Sequence, residues 1–347
     1  MCLDKYTQNI RIIVASNERL AMNKRFLRIF GLLGLLIGSM SAMGQDPHFS
    51  QFYANPIYLN PAMAGARKCP SAHVIYRNQY PELAAFRTVS ASYDQFVDAL
   101  GGGIGIIITD DNAGDGTLGI FEVNAMYSYH LVLNRKLSLL VGFQAGWRQR
   151  TLDWSSLRFG DQIDNLYGFV RPTQEIPGVD QVSHVDFGTG FVLFSDMFYV
   201  GGAFHHLTEP DDPFLVESKL PMKMTFHGGA QIPIGRRVSN NSADQTTINP
   251  GILFQTQGPN EQLNYLLSIS KGAITGGLSF RHNFNNADAM VVLIGFSPDR
   301  WTLGYSYDYT VSKFSNQAGG AHEISLGYQF KCATKKTKYK TLNCPKF

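Results

Sequence analysis

Residues 137–148 read LSLLVGFQAGWR, a stretch in which apolar side chains recur at every second position. They stand at Leu137, Leu139, Val141, Phe143, Ala145 and Trp147. The intervening positions include Ser138, Gly142, Gln144 and Arg148, which are small or polar. A period of two is typical of a β-strand whose two faces meet different surroundings. The stretch therefore predicts a strand of about ten residues, the length that a tilted strand needs to cross a membrane.

The same alternation recurs along the chain as far as residue 330, in roughly fourteen segments by our count. The segments begin near Ser71, Phe86, Gly102, Thr117, Lys136, Ser183, Met197, Lys223, Thr246, Glu261, Ala273, Asp288, Trp301 and Ala321. An even number of antiparallel strands is typical of bacterial outer-membrane barrels. The sequence therefore predicts an all-β fold, a transmembrane antiparallel up-and-down β-barrel over residues 71–330, located in the outer membrane and surrounded by its lipid.

A water-soluble β-sandwich would also alternate, but two further features favour a membrane barrel. Aromatic residues gather near the predicted strand ends, as at Trp301 and Tyr328, which resembles the aromatic girdles of membrane barrels. Connections alternate between tight ones such as 133–135 and long ones such as 150–182, which we assign to the periplasmic and external sides. The polar stretch 235–245 is the exception, because it is long on the side where short turns are expected.

The composition of the 347 residues excludes several classes of protein. Charged residues make up 16% and apolar residues 44%, which is not the composition of a disordered or coiled-coil chain. The formal net charge of +3 is too small to indicate nucleic-acid binding. We therefore expect no nucleic-acid partner.

The beginning of the chain has the pattern of a secretory signal. Basic residues at positions 24, 25 and 28 precede an apolar run over 29–40, followed by the small residues Ala42 and Gly44. We interpret residues 1–44 as a signal peptide, with the true start at Met22. Cleavage after Gly44 would leave Gln45 as the mature amino terminus, and no cysteine follows to carry a lipid anchor.

Two segments flank the predicted barrel. Residues 45–70 show little alternation and contain three Asp-Pro or Asn-Pro pairs, so we expect a short plug-like segment in or under the barrel. Residues 331–347 carry six lysines and predict a basic periplasmic tail. That tail is either simply solvated or in contact with an acidic periplasmic partner.

No motif indicates catalysis, a metal ion or a cofactor, so we expect a protein that is not an enzyme. Residues 110–116 resemble a calcium loop but lack the acid or amide at the fifth position and the glutamate at the twelfth. Gly101–Gly103 precedes no helix, and we expect it to relieve crowding in a strand. His205 and His206 are adjacent, so in a strand their rings would point to opposite faces and could not chelate one ion.

Several stretches resemble the PorP/SprF family of the type IX secretion system, and they keep the family's order. They are QDPHFSQFYANPIYLNPAMAG (45–65), YRNQYP (76–81), HHLTEP (205–210), GYSYD (304–308) with Ser312, HEISL (322–326) and CPKF (344–347). The family usually has Trp where this chain has Tyr80. The resemblance covers nearly the whole mature chain. Five residues that it shares on the last two strands could form a closing or lumen network, or serve structure alone: Tyr305, Tyr307, Asp308, His322 and Glu323.

The resemblance implies a non-enzymatic component that supports export or surface attachment of specific secreted adhesins by protein–protein interaction. The implied partners are an adhesin with a C-terminal sorting domain and the periplasmic lipoprotein and peptidoglycan-binding parts of the secretion machine. Gram-negative bacteria that use this machine display adhesins and glide. The competing function is a FadL-like outer-membrane channel for small solutes, because barrels of this size with an N-terminal plug also serve as fatty-acid channels.

The mature chain contains three cysteines, and a barrel would bring two of them together. Cys69 precedes the first predicted strand and Cys332 follows the last, so both would lie at the periplasmic side of one seam. Cys344 lies further along the tail and could reach the same rim. We favour a Cys69–Cys344 disulfide, because both residues precede proline in stretches that resemble the family. The alternatives are Cys69–Cys332, a Cys332–Cys344 loop, or no bond.

Overall fold

A computed structural model of the protein describes residues 45–82, 86–164, 166–211, 219–235, 245–284, 286–311 and 319–332. The predicted signal peptide with its start at Met22, and all but the first two residues of the predicted basic tail, lie outside the described residues. In these ranges, no helix combines the length and the apolar character needed to cross a membrane.

Fourteen strands form the wall of the fold. They are β1 (Ser71–Gln79), β2 (Phe86–Val97), β3 (Gly102–Ala113), β4 (Leu118–Val132), β5 (Ser138–Leu152), β8 (Gln181–Phe194), β9 (Phe198–His205), β10 (Lys223–Ala230), β12 (Thr246–Gln257), β13 (Asn260–Lys271), β14 (Ile274–His282), β15 (Ala287–Phe296), β16 (Trp301–Thr310) and β17 (Ala321–Gln329). Three short strands complete the set: β6 (Ile163–Asp164), β7 (Gly168–Phe169) and β11 (Ile232–Ile234). The helices are a single α-helical turn, α1 (Pro56–Leu59), and 3-10 turns at Pro61–Met63, Asp98–Leu100, Trp154–Ser156 and Gly160–Gln162.

The wall is a sheet that closes on itself. Each wall strand pairs antiparallel with the next one along the chain. The ring is completed by β1 and β17, which pair from Ser71 opposite Gln329 to Gln79 opposite Ala321. Strand β11 follows β10 after one residue and pairs with the beginning of β12. The predicted antiparallel barrel of about fourteen strands is confirmed.

The two faces of the wall differ as the alternation predicts. On β14, Leu278 is 56% exposed on the outward face, whereas its neighbour Ser279 is 4% exposed on the inward face. On β5, Phe143 and Gln144 show the same contrast. Because neighbouring outward residues are apolar on strand after strand, the outer surface is suited to lipid and not to water.

The connections define the two ends of the barrel. Tight turns such as 133–137, 195–197 and 272–273 lie at the end where β1 begins and β17 ends. Long connections such as 153–180, which contains the β6–β7 hairpin, lie at the opposite end. Bacterial barrels place short turns in the periplasm and long loops outside. We therefore call the two openings of the barrel the periplasmic mouth and the outer mouth.

A disulfide joins Cys69 to Cys332 at the periplasmic mouth, with the two Cα atoms 4.6 Å apart. The bond links the residues just outside β1 and β17, so it crosses the seam at which the barrel closes. This pairing was one of the alternatives left open by the sequence. Because one sulfur forms one disulfide, this bond takes the place of the Cys69–Cys344 pairing that the sequence favours. Cys344 itself lies outside the described residues.

Peptide mapping of the protein under non-reducing conditions distinguishes the two pairings. With the bond placed as in the structure, a peptide containing Cys69 is linked to one containing Cys332, and Cys344 is recovered as a thiol. The matched control is Cys344→Ser, which should leave that linked peptide unchanged. A linked Cys69–Cys344 peptide would instead support the pairing favoured from the sequence, and Cys69 recovered only as a thiol would contradict both.

Replacing Leu278 by arginine should impair assembly of the barrel. A charged side chain facing lipid near the membrane midplane costs roughly 2–4 kcal/mol. Leu166 is the matched control, because it is 86% exposed in the loop 153–180 at the outer mouth, outside the lipid. Heat-modifiable gel migration measures the folded fraction. Equal loss of folded protein in L278R and L166R would contradict the assignment of the outward face.

Candidate functional site

The segment 45–70 crosses the interior of the barrel from one mouth to the other. At its start, the Asp46 backbone N–H donates to Gln257 Oε1 at 2.9 Å, and Gln257 ends β12 at the outer mouth. At its far end, Cys69 is bonded to Cys332 at the periplasmic mouth. Most of the residues between them are buried against the inward face of the wall.

Proline and asparagine shape the middle of this segment. Pro56 begins α1 and Pro61 begins the following 3-10 turn. Proline is favoured at a first helical position, because its fixed φ suits a helix and the N–H that it lacks would have no partner within the helix. The Asn60 side chain accepts from the Ala62 backbone N–H at 2.9 Å, and its amide donates to the wall carbonyl of Gly202 at 3.0 Å. The segment thereby satisfies its backbone groups without joining the sheet.

Apolar contacts hold the segment in three places along the barrel. Wall residues on the inward face pack against buried residues of the segment: Ile75, Leu253, Leu266 and Leu293 against Phe49, Phe52, Tyr53 and Leu59; Leu140, Val192 and Phe194 against Ala62 and Met63; Ile107 and Met126 against Ile57 and Ala64. The inward face therefore carries apolar patches where the segment lies against it.

Glycines in the wall provide the room for close approach. A Cβ atom added to Gly103 would collide with the carbonyl of Ala64, and one added to Gly142 would collide with the backbone of Ala62. Both contacts involve backbone atoms, which cannot swing aside. These two glycines are therefore required by the segment and not by the strands in which they lie. Gly102 fits the expectation that Gly101–Gly103 relieves crowding in a strand, because a Cβ atom added there would collide with the backbone of Ser128 on β4.

A buried network of charges binds the segment to the seam of the barrel. Glu323 accepts from the backbone N–H groups of Ser50 and Gln51, both at 2.8 Å, and from Arg77 at 3.0 Å. Asp308 accepts from the Ser50 hydroxyl at 2.6 Å and from Arg77 at 3.0 Å. Arg281 adds a third donor to Asp308 at 2.9 Å. We call Arg77, Arg281, Asp308 and Glu323 the seam network.

A second charged group surrounds the start of the segment at the outer mouth. Asp46 lies 3.0 Å from Arg148, 2.6 Å from His206 and 3.6 Å from Lys223. Two wall carboxylates pair with the same cations: Glu122 with Arg148, and Asp186 with the other ring nitrogen of His206 at 2.8 Å. We call Asp46, Glu122, Arg148, Asp186, His206 and Lys223 the outer cluster.

The protonation of the outer cluster follows from its ion pairs. Burial alone lowers the pKa of His206, but Asp46 and Asp186 outweigh it and raise that pKa to about 9. Burial raises the pKa of Asp46, while His206, Lys223 and Arg148 lower it, and the balance lies well below the ordinary value. At neutral pH, His206 is therefore a cation and Asp46 an anion.

A cavity of about 40 Å³ lies beside Asp46, lined by Tyr58 of the segment and by wall residues that include Gln144, His205 and Lys223. Such a volume holds two or three water molecules. His205 and His206 both line it, so the expectation that their rings face opposite ways is wrong. The reason is that β9 ends at His205, and His206 turns out of the strand with a φ of 58°.

The structure divides the five residues shared with the family between the two faces of the wall. Asp308 and Glu323 are buried in the seam network. Tyr305 and His322 lie on the outward face, where the Tyr305 hydroxyl and His322 Nδ1 are 2.9 Å apart. Tyr307 also contacts the His322 ring, with the ring centroids 4.9 Å apart.

Several residues of both charged groups could not be identified from the sequence. Arg77, Arg281 and Arg148 alternate like other residues of the polar face, and their partners lie far away along the chain. One signal was available: apolar residues such as Leu140 interrupt the polar face where the segment packs. Such interruptions indicate a wall that faces protein and not water.

The family of proteins described as type IX secretion system membrane protein PorP/SprF matches residues 41–328. The chain belongs to the PorP/SprF family. The match spans the segment 45–70 and nearly all of the barrel, so both are parts of one family architecture. A membrane protein of type IX secretion with a closed barrel and an apolar outer face is located in the outer membrane.

Several solved structures of outer-membrane proteins are similar to the chain. The chain is similar to the TodX deltaS2S3 mutant monoaromatic hydrocarbon channel, with 10% identity, a TM-score of 0.43, and 79% of this chain and 93% of that chain covered. It is also similar to Omp33 of Acinetobacter baumannii, with 9% identity and a TM-score of 0.41, and 76% of this chain and 100% of that chain are covered. The KdgM porin is 9% identical, with a TM-score of 0.36, and 75% of this chain and 99% of that chain are covered. No curated protein matches the chain.

Replacing Glu323 by glutamine should detach the segment from the seam. The substitution leaves Arg77 with a weakened partner, and disrupting a buried ion pair on one side costs about 3–5 kcal/mol. Limited proteolysis of the purified protein should then cleave within 45–70 faster than in the wild type. Glu261→Gln is the matched control, because Glu261 is exposed at the beginning of β13. Unchanged protection of the segment in E323Q would contradict its anchoring role.

Proposed function

We propose that the protein is a non-enzymatic outer-membrane component of type IX secretion that supports export or surface attachment of specific secreted adhesins by protein–protein contacts. Membership of the PorP/SprF family supports the link to this machine. The observation that carries the mode of action is the filled barrel. A segment that packs against the wall along its length and is held by buried charges favours a scaffold over an open pore.

The periplasmic mouth supports contact with other parts of the secretion machine. Basic residues gather there, at Arg67, Lys68, Arg135, Lys136, Lys271, Arg300 and Lys331. The exposed acidic residues described at that end are Asp98, Asp196 and Asp299. The six lysines of 331–347 continue the same charge in the sequence. A periplasmic protein with an acidic face is the partner that this charge favours.

The outer mouth has the opposite charge. Its described loops carry more acids than bases, with Glu82, Asp115, Asp153, Asp161, Asp164, Glu175, Asp180, Glu209 and Asp211 against Arg158, Arg171 and Lys219. The two mouths therefore differ in the kind of partner that each would attract. We assign the periplasmic mouth to the machine and the outer mouth to the secreted adhesin.

Deleting the gene should remove one or a few adhesins from the cell surface while other type IX substrates are still secreted. Surface proteomics of the deletion strain measures this, and complementation with the wild-type gene is the control. An unchanged surface proteome, together with solute conductance by the purified barrel in a planar bilayer, would contradict the proposal and favour the FadL-like channel.

A further inference from the structure

In the outer cluster, three cationic side chains of the wall surround one carboxylate, which belongs to Asp46 of the interior segment. We propose that it is a carboxylate-binding site for an acidic segment of a polypeptide that arrives from outside, and that Asp46 fills the site in the resting protein. Asp46 is thus an internal stand-in for the carboxylate of a partner.

The cations of the site are held in place by the wall. Arg148 lies on β5, His206 directly after β9 and Lys223 at the start of β10, and they are 4%, 4% and 9% exposed. All three converge on the Asp46 carboxylate, at 3.0, 2.6 and 3.6 Å. Charge-assisted bonds of this kind are the strongest that a protein offers to a carboxylate.

The wall residues of the outer cluster carry three positive and two negative charges, and Asp46 makes the cluster neutral. Asp111 of β3 lies near the cluster, but its carboxylate accepts from Thr88 and forms no ion pair in the described part of the chain. Glu122 neutralises Arg148 and Asp186 neutralises His206. In the described part of the chain, the ion pair of Lys223 is with Asp46. Removing Asp46 would leave one buried positive charge without a counterion, which is unfavourable. The wall therefore accepts a single carboxylate, from Asp46 or from another source.

Asp46 is the part of the segment that can be exchanged most readily. Gln45 is exposed and residues 46–48 are only partly buried, whereas full burial begins at Phe49. The contacts of Asp46 are hydrogen bonds and ion pairs, without the apolar packing that holds the rest of the segment. Departure of residues 45–47 breaks the bonds of Asp46 and the one in which the Tyr58 hydroxyl donates to the Pro47 carbonyl, while the seam network keeps Ser50 and Gln51 in place.

The cavity beside Asp46 favours a polypeptide over a simple anion. Asp186 Oδ1 and Gln144 Oε1 belong to residues that line the cavity, and neither has a hydrogen-bond partner among the described residues. Buried acceptors of this kind need donors, and the backbone N–H groups next to an acidic side chain supply them. The secreted origin of this polypeptide rests on the proposed function, whereas the carboxylate site does not.

The site itself is tested with acetate on the purified full-length protein in detergent. Asp46→Asn removes the internal carboxylate, so acetate should raise the temperature of unfolding of D46N more than chloride at equal ionic strength. The wild type, whose site is filled, should not respond. Asp94→Asn is the matched control, because Asp94 is a buried carboxylate that accepts from Ser71 and Gly65 and forms no ion pair in the described part of the chain. The double variant D46N/K223Q should lose the response, since the unneutralised charge is gone.

The polypeptide is tested with a fluorescent penta-aspartate peptide and its penta-asparagine counterpart. D46N should bind the aspartate peptide at least about tenfold more tightly than the wild type, because the internal competitor is absent. The asparagine peptide should bind neither protein.

Failure of acetate to stabilise D46N, or an equal effect on D94N, would overturn the site. Stabilisation by acetate without tighter peptide binding would overturn the polypeptide ligand. Neither result depends on which adhesins disappear in the deletion strain, so the proposed function can fail separately.

Discussion

The ion pair between Arg77 and Glu323 connects the two features on which the structure depends. These residues lie directly opposite each other where β1 meets β17, so the pair crosses the closing seam of the barrel. Glu323 also accepts the backbone N–H groups of Ser50 and Gln51, so the same carboxylate holds the interior segment. Closure of the wall and filling of the interior are therefore coupled. Arg77 meets Glu323 only when the wall closes, and Glu323 gains its two backbone donors only when the segment is in place. A buried carboxylate without these partners would be strongly destabilising.

The wall could be predicted from the sequence because strand and turn signals are local. Seven predicted strand starts coincide with the observed ones, among them Ser71, Phe86 and Trp301, and the others differ by one or two residues. Alternation is set by the pleat, and chain reversal by glycine, proline and asparagine, so neither requires knowledge of distant residues. The β6–β7 hairpin and β11 were missed, because two or three residues are too few to show a period.

The interior could not be predicted in the same way, because its contacts join residues that are far apart along the chain. The hydrogen bond between Ser50 and Glu323 spans 273 residues, and no spacing in the sequence indicates it. The resemblance to the family marked Asp308 and Glu323 but also Tyr305 and His322, which lie on the opposite face. A list of shared residues therefore did not separate the groups that bind the segment from those that face outward. That separation required the register of the strands.

The path of the segment also has a consequence for how the chain folds. Pairing β1 with β17 brings together residues separated by almost the whole barrel, and the entropic cost of closing a loop rises with its length. The segment touches strands all around the ring, with Ala62 against Gly142 on β5, Asn60 against Gly202 on β9 and Gln51 against Ser325 on β17. Strands that are far apart in the ring therefore contact the same short segment. Its contacts with the first strands span much less of the chain than the seam does: the Ser128 hydroxyl donates to the Ala62 carbonyl across 66 residues, whereas Arg77 and Glu323 are 246 residues apart. Contacts of the segment with the first half of the wall therefore cost less loop-closure entropy than the closing of the barrel itself.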